Sequence, residues 1–367
     1  MQLHLVLPGL LWPGKALRDT ASDLDLPALA WLLGRGRHHW QGPEPLENWL
    51  CHAFGIERPH APAAALRMLG EGREPGAAHW LCADPAGLRI EQGRLSLDIG
   101  HAHSTGISAN EMGQLAAALA PQLAEVGEFH AGAPGHGYLK LHRQAEIATL
   151  PPSAAAGSSS PLPSGKDAAL WRRLGNEAQM LLHTLPLNAQ RETEGRSPLN
   201  TLWFWGAGQL PPRPAAAACA YQAACGQHPL LNGLAAWSGI ARHANPSLPD
   251  LLARHPGQEL PSLLLLDTLH SAARQLDALA WRAALADIER DWLQPLRQHL
   301  RAGHIKNLRL TALGDEARLD VRLTRADPLK FWRRPQALHA LSYAQAAAAA
   351  APDPSTTSGG SARRVTA

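Results

Sequence analysis

Residues 172–208 read RRLGNEAQMLLHTLPLNAQRETEGRSPLNTLWFWGAG. Leu174, Met180, Leu181 and Leu185 recur at helical spacing, which predicts an amphipathic helix over 167–184 laying an apolar stripe on a core. Further on, Leu202 and Phe204 fall on one face of a strand over 200–205, and Trp203 and Trp205 on the other. A strand bulky on both sides is central and covered by helices, which decides for a layered α/β architecture. Between helix and strand lies a polar cluster: Asn188, Arg191, Glu192 and Asn200. An Arg beside side-chain amides suits a bidentate grip on phosphate or carboxylate, and an ion pair from Arg191 to a nearby acid, holding the loop, is the alternative. Gly206-Ala207-Gly208 runs into Gln209-Leu210-Pro211-Pro212, which cannot open a helix, so a tight turn is expected and a dinucleotide fingerprint is excluded.

Upstream, Gln2 to Leu7 reads as a short strand ended by a Pro8-Gly9 turn, with helical periodicity at 27–34, 44–54 and 62–70. Strands follow at 79–84, 87–91 and 94–99, broken at Asp84-Pro85 and Gln92-Gly93. Ser108 and Glu111 form a capping box that starts a helix to about Val126, and EFHAG and GYLKLH then read as strands. Downstream, strands are expected near 216–222 and at 262–267, a helix at 229–241 and a long helix over 269–301. A final hairpin, 305–312 and 317–323, turns at Gly314-Asp315. The Ser/Pro/Ala-rich stretch at 151–165 suggests a division into an N-terminal α+β portion (1–150), a linker or loop (151–166), a C-terminal α/β portion (167–343) and a disordered tail (344–367).

The chain has 367 residues, 45% of them hydrophobic and 18% charged, which suits a soluble protein with a sizeable core. A formal net charge of +3 forces no nucleic-acid footprint, and no basic cluster is long enough for a polycationic arm. Cys51, Cys82, Cys219 and Cys225 form no C-x-x-C pair and read as small buried thiols, although Cys219 and Cys225 could be close. There is no apolar run long enough for a membrane span and no basic n-region at the start, so a cytoplasmic location without membrane partners is expected.

Histidines invite a metal reading: His101 and His103 alternate, and His130 and His136 fall near neighbouring strands, but no H-E-x-x-H accompanies them and scattered loop positions are expected. Asp267, the last residue of the strand SLLLLD, and His270 just beyond it lie at the carboxyl end where open α/β sheets collect ligands. They could share a metal, or Asp267 or Thr268 could cap the next helix. Phe331-Trp332-Arg333-Arg334-Pro335 couples aromatic anchors with guanidiniums and either lays the terminal segment on the domain or meets a partner.

The segment NEAQMLLHTLPLNAQRETEGRSPLNTLWFWGAGQLP, with HWLCADPAGLRI and FWRRP, resembles the regulatory proteins of RpfE type, a bacterial group described as phosphoglycerate-mutase-like. More remotely it is similar to cofactor-independent phosphoglycerate mutases of the alkaline phosphatase superfamily, with Asn188, Arg191, Asn200 and Gly206 at the matching positions. That resemblance implies a three-layer α/β/α sheet and a two-metal site of Asp, His and a Ser or Thr nucleophile that transfers a phosphoryl group. It also implies an Asp ligand at the end of the first strand, where this chain has Pro8, and leaves Asp267 and His270 as the metal-ligand remnant. The expectation is a catalytically degenerate relative that binds a small anionic ligand or a protein partner through Asn188, Arg191 and Asn200, with no catalytic residues. The alternatives are an active mutase or phosphotransferase, which would need a divalent metal, and a DNA-binding regulator, for which no helix-turn-helix or basic stripe speaks.

Overall fold

The computed structural model describes residues 1–57, 61–91, 94–99, 106–155, 162–214, 219–244, 247–254 and 260–341. His101, His103, most of the Ser/Pro/Ala-rich stretch and the tail from 342 lie outside them. The strands are β1 (Gln2–Leu11), β2 (Arg37–Gln41), β3 (His79–Glu91), β4 (Arg94–Ile99), β5 (Gly127–Ala131), β6 (Gly137–Leu141), β7 (Thr201–Gly208), β8 (Ala223–Cys225), β9 (Ala241–His243), β10 (Ser262–Leu265), β11 (Asn307–Gly314) and β12 (Arg318–Thr324).

β1 is the middle of a seven-stranded sheet, ordered β2-β12-β11-β1-β10-β8-β9. β11, β1, β10, β8 and β9 run parallel, whereas β12 and β2 add antiparallel strands at one side. Leu3, Leu5 and Leu7 face helices Pro27–Arg35, Ala278–Ile288 and Gln294–Arg301 in one apolar cluster. Val6, Leu263 and Leu265 face the other way, onto helices Leu46–Ala53, Ala63–Gly70 and Pro229–Ser238. The sheet is thus covered by helices on both faces, as near-continuous apolar parallel strands require. This is the three-layer α/β/α arrangement expected of the chain.

The second sheet is antiparallel. β3 is its spine: β6 pairs His79 to Cys82, β4 pairs Ala86 to Glu91, and β7 runs beside Trp80 to Ala86. Trp203 and Trp205 join the cluster between the sheets, and Leu202 and Phe204 join the outer cluster under helices Ala109–Leu123 and Ala168–Thr184. The alternation in LWFWG therefore assigns the two faces correctly. Among the described residues β7 pairs with β3 alone, so it is covered on both faces without being central. Both sheets draw strands from either side of residues 151–166: β1 centres a sheet completed by β8 to β12, and β7 joins β3 to β6.

Several local expectations are corrected. β1 does not stop at Pro8-Gly9 but bulges there, its register on β11 shifting between Pro8 and Leu11. Pro85 does not break β3, because it falls where the strand changes partners, between Cys82 on β6 and Ala86 on β4, and a missing N–H is tolerated there. The long helix over 269–301 is interrupted: Leu276 takes φ 55° and Asp277 accepts the Ala280 amide as the cap of a new helix. Farther on, a π-helical turn at Glu289–Leu293 precedes Pro295, which has no N–H to continue an α-helical ladder. The stripe of helix Ala168–Thr184 runs through Trp171, Leu174, Ala178 and Leu182, whereas Met180 is 65% exposed. Gly206 to Gly208 extend β7 instead of turning. Gly206 has φ 63°, and a Cβ there would lie 2.8 Å from the Cβ of Ala63, so glycine lets helix Ala63–Gly70 close on the strand. Of the strand expected near 216–222, residues 216–218 lie outside the described ones and 219–222 are not a strand; β8 follows at Ala223–Cys225.

Candidate functional site

The polar cluster that suggested an anion pocket is tied to the chain itself. Asn188 is buried; its amide donates to the carbonyls of Leu182 (2.7 Å) and Leu199 (2.9 Å) and accepts from the Leu199 amide (2.8 Å). Arg191 is fully buried and donates to the Ser197 carbonyl at 2.8 Å and to Glu111 at 2.8 Å. Asn200 serves another partner: its side chain accepts the Leu88 amide at 2.7 Å and donates to the Leu88 carbonyl at 2.9 Å, standing in for a strand neighbour along β3. Asn188 and Arg191 thus staple the chain between helix Pro186–Thr193 and β7, and Asn200 extends the β-ladder. Of the alternatives for Arg191, the internal ion pair is the one seen.

The helix capped by Ser108 supplies the other half of that ion pair, Glu111. The Ser108 hydroxyl accepts the Glu111 amide, and Glu111 accepts the Ser108 amide at 2.7 Å. Glu111 also takes Arg196 at 3.0 Å. Burial alone would raise its carboxyl, but the hydrogen bonds from Arg196, Ser108 and Arg191 outweigh that and hold it at about 2.

A second buried network was not anticipated. Arg67 stands alone in the apolar helix AAALRMLG and forks onto Asp84 at 2.8 and 2.6 Å, while its Nε reaches the Tyr138 hydroxyl at 2.9 Å. Asp84 further accepts the Trp205 indole (2.7 Å) and the Gly137 amide (3.0 Å). Tyr138 donates to Glu71 at 2.6 Å, and Glu71 meets His136 at 2.5 Å. The lone Arg in an apolar helix was the readable signal, since a buried guanidinium demands a carboxylate. The network satisfies its own members and joins the middle helices to the second sheet.

An open cleft lies instead at the carboxyl ends of the parallel strands. It has a volume of about 530 Å³, within the range of small-molecule sites, and is lined by Pro8, Gly9 and Leu11 of β1, by Leu313 to Glu316 at the β11–β12 turn, and by His270, Ala273 and Arg274. Glu44, Leu46 and Ser153 close the opposite wall. Ser153 is fixed there: its hydroxyl donates to Glu47 and accepts the Leu46 amide at 3.1 Å. Glu44 is bonded by Arg318 and His52. The wall of helix Thr268–Arg274 owes its position to Gly9. With φ 80° and no Cβ, Gly9 lets the helix backbone settle on the strand end; a Cβ would lie 2.9 Å from the Leu269 carbonyl and 3.1 Å from the His270 Cα. The Gly9 carbonyl accepts the Trp281 indole at 2.7 Å.

His270 therefore lines the cleft, as the carboxyl-end rule suggests. Asp267 is the N-cap position of the same helix, its side chain accepts no capping bond, and its carbonyl accepts the His270 amide at 3.0 Å. Arg274 and the acids Glu44, Asp315 and Glu316 were missed; Arg274, one turn after His270, was the detectable member. Among the described residues the donors do not fit a two-metal site. Pro8 offers no side-chain ligand atom, His136 is engaged with Glu71, and His130 lies 3.6 Å from Glu128. Among the described residues no group of three or more His, Cys, Asp or Glu side chains gathers to hold a metal. Nor is any described helix long and apolar enough to cross a membrane, and all four cysteines are free thiols.

No family profile matches the chain. Locally, 69 residues are 35% identical to the 2,3-bisphosphoglycerate-independent phosphoglycerate mutase of Methanosarcina mazei, covering 18% of this chain and 17% of that one. An 84-residue stretch is 33% identical to the probable 2,3-bisphosphoglycerate-independent phosphoglycerate mutase of Geobacter sulfurreducens, covering 21% of each. The matched stretch thus spans about a fifth of the length of these curated relatives. Across the whole fold, the PH0037 protein of Pyrococcus horikoshii superposes with a TM-score of 0.52 at 16% identity, over 92% of this chain and 91% of that one. The cofactor-independent phosphoglycerate mutase of Thermoplasma acidophilum gives 0.46 at 18% identity, over 93% and 95%. The chain shares the α/β fold of PH0037 and, over a short stretch, remote sequence similarity with the cofactor-independent phosphoglycerate mutases.

Proposed function

We propose that this chain is a catalytically degenerate, phosphoglycerate-mutase-like protein that binds an anionic ligand or partner in the carboxyl-end cleft instead of turning it over. The observation that carries this reading is the end of β1. There the resemblance calls for a ligating Asp, and this chain has Pro8-Gly9, with helix Thr268–Arg274 packed onto the glycine. A proline has no side-chain ligand atom, and the backbone of helix Thr268–Arg274 fills the space beside Gly9. To meet an anionic group the cleft offers one guanidinium, Arg274, and one imidazole, His270, while the carboxylates of Glu44, Asp315 and Glu316 would face donor groups of the same ligand. A regulatory role of RpfE type is the finer form of this proposal: recognition at the cleft would be its output. The fold and the local similarity support the scaffold, and Pro8 supports the lost chemistry.

The test is the interconversion of 2- and 3-phosphoglycerate by the full chain with added Mn²⁺. The proposal expects no turnover above the protein-free blank. Turnover that requires Mn²⁺ and is abolished by Asp267→Asn or His270→Ala would replace it with the active-mutase reading.

A further inference from the structure

One row of residues crosses four neighbouring strands near the amino end of β1. His4 lies opposite Arg309 of β11, Arg309 opposite Arg322 of β12, and Arg322 opposite Arg37 of β2. Residues opposite one another point to the same face. The row climbs from interior to edge: His4 is 3% exposed, the Arg309 side chain 36%, and Arg322 and Arg37 are exposed.

Opposed side chains on paired strands have Cβ atoms about 4.5–5.5 Å apart, and like charges at that spacing repel. The neighbouring carboxylate, Asp320, is already engaged: it takes Arg309 at 3.1 Å, lies 3.7 Å from Arg318, and accepts the Thr311 hydroxyl. Among the described residues no side-chain hydrogen bond or ion pair offsets the charge of Arg322 or Arg37.

The floor beneath the row is polar and neutral. Because Thr311 gives its proton to Asp320, its oxygen accepts from His4 Nε2 at 2.8 Å, which leaves Nδ1 to accept the Tyr221 hydroxyl at 2.8 Å. Burial, reinforced by the charge of Arg309 and then of Arg322 and Arg318, holds His4 down at about 3. Over this floor lies a cavity of about 340 Å³, lined by His4, Tyr221, Asn307, Arg309, Arg322 and Thr324. It opens at the amino end of β1, whereas the cleft begins at Pro8.

We propose that this row is a binding site for a phosphate group, free or carried by a small organic molecule, with Arg309 and Arg322 gripping it from the cavity and Arg37 from the rim. Guanidinium forks match the oxygens of a tetrahedral dianion, and three on one face supply the charge that Asp320 does not balance. Isothermal titration of the full chain with inorganic phosphate and with glycerol phosphate, at ionic strength fixed by chloride, tests it. Saturable binding should weaken at least about tenfold in Arg322→Ala, less in Arg37→Ala, and not at all in Arg290→Ala, an exposed arginine paired with Asp287 and Asp291 outside both sites. Tighter binding of glycerol phosphate assigns the site to an organic ester, and equal binding assigns it to the free anion. Affinity unchanged in Arg322→Ala, or lost equally in Arg290→Ala, overturns the proposal. Circular dichroism of Arg322→Ala, whose side chain is exposed, establishes that any loss is not unfolding.

Discussion

Arg191 reaches a partner 80 residues away, at Glu111, and that separation is why the sequence left its role open. The capping box that positions Glu111 was legible because its members are three residues apart; the guanidinium that completes it was not. Removing one partner of a buried pair leaves an uncompensated charge, so Arg191→Ala should lose about 3–5 kcal/mol in urea unfolding. Unchanged stability would return Arg191 to the role of a ligand-binding group. Two of the side chains with shifted titration, Glu111 and His4, contribute to the pH dependence at different ends of the acid range. Glu111 is held at about 2 against an ordinary 4.5, so its stabilisation is present above 4.5 and is lost as pH falls towards 2. His4 is held at about 3 against 6.5, and between those values the unfolded chain binds a proton that the folded chain refuses. Stability should therefore fall on acidification from pH 6.5, by up to about 1.4 kcal/mol per pH unit. His4→Gln should make the profile shallower between 6.5 and 4.5, where His136, also lowered by burial, keeps part of the slope, and leave the carboxylate loss below it. A flat wild-type profile would show that His4 titrates normally in the fold.

At the scale of elements, periodicity carried most of the information. The LWFWG alternation sorts its side chains between two cores, the Ser108 helix starts at its cap, and β11 and β12 form the expected hairpin. The failures cluster at prolines and glycines, which read locally as stops but are used here for contacts between elements. Pro8-Gly9 is a bulge on which a helix rests, Pro85 marks a change of strand partner, and Gly206 is where helix Ala63–Gly70 meets β7. None of these uses is visible without the neighbouring element. Gly206→Ala should therefore cost about 3 kcal/mol in urea unfolding, since it combines a positive φ with a Cβ 2.8 Å from Ala63. A loss below about 0.5 kcal/mol would mean that the helix can retreat.

At the scale of the molecule, the two sheets are interleaved in sequence, and the cleft forms where β1, β11 and helix Thr268–Arg274 converge. Its general position was legible, because SLLLLD, ending in Asp267 and followed by His270, marks a carboxyl end. Its composition was not, because Glu44, Ser153, Arg274 and Glu316 come from four separate parts of the chain. The proposal rests on the absence from this scaffold of the two-metal centre that the resemblance implies. Equilibrium dialysis of the full chain against Mn²⁺, with bound metal counted per chain, tests this most directly. The chain should retain no stoichiometric Mn²⁺; two tightly held ions per chain, released by Asp267→Asn or His270→Ala, would contradict it.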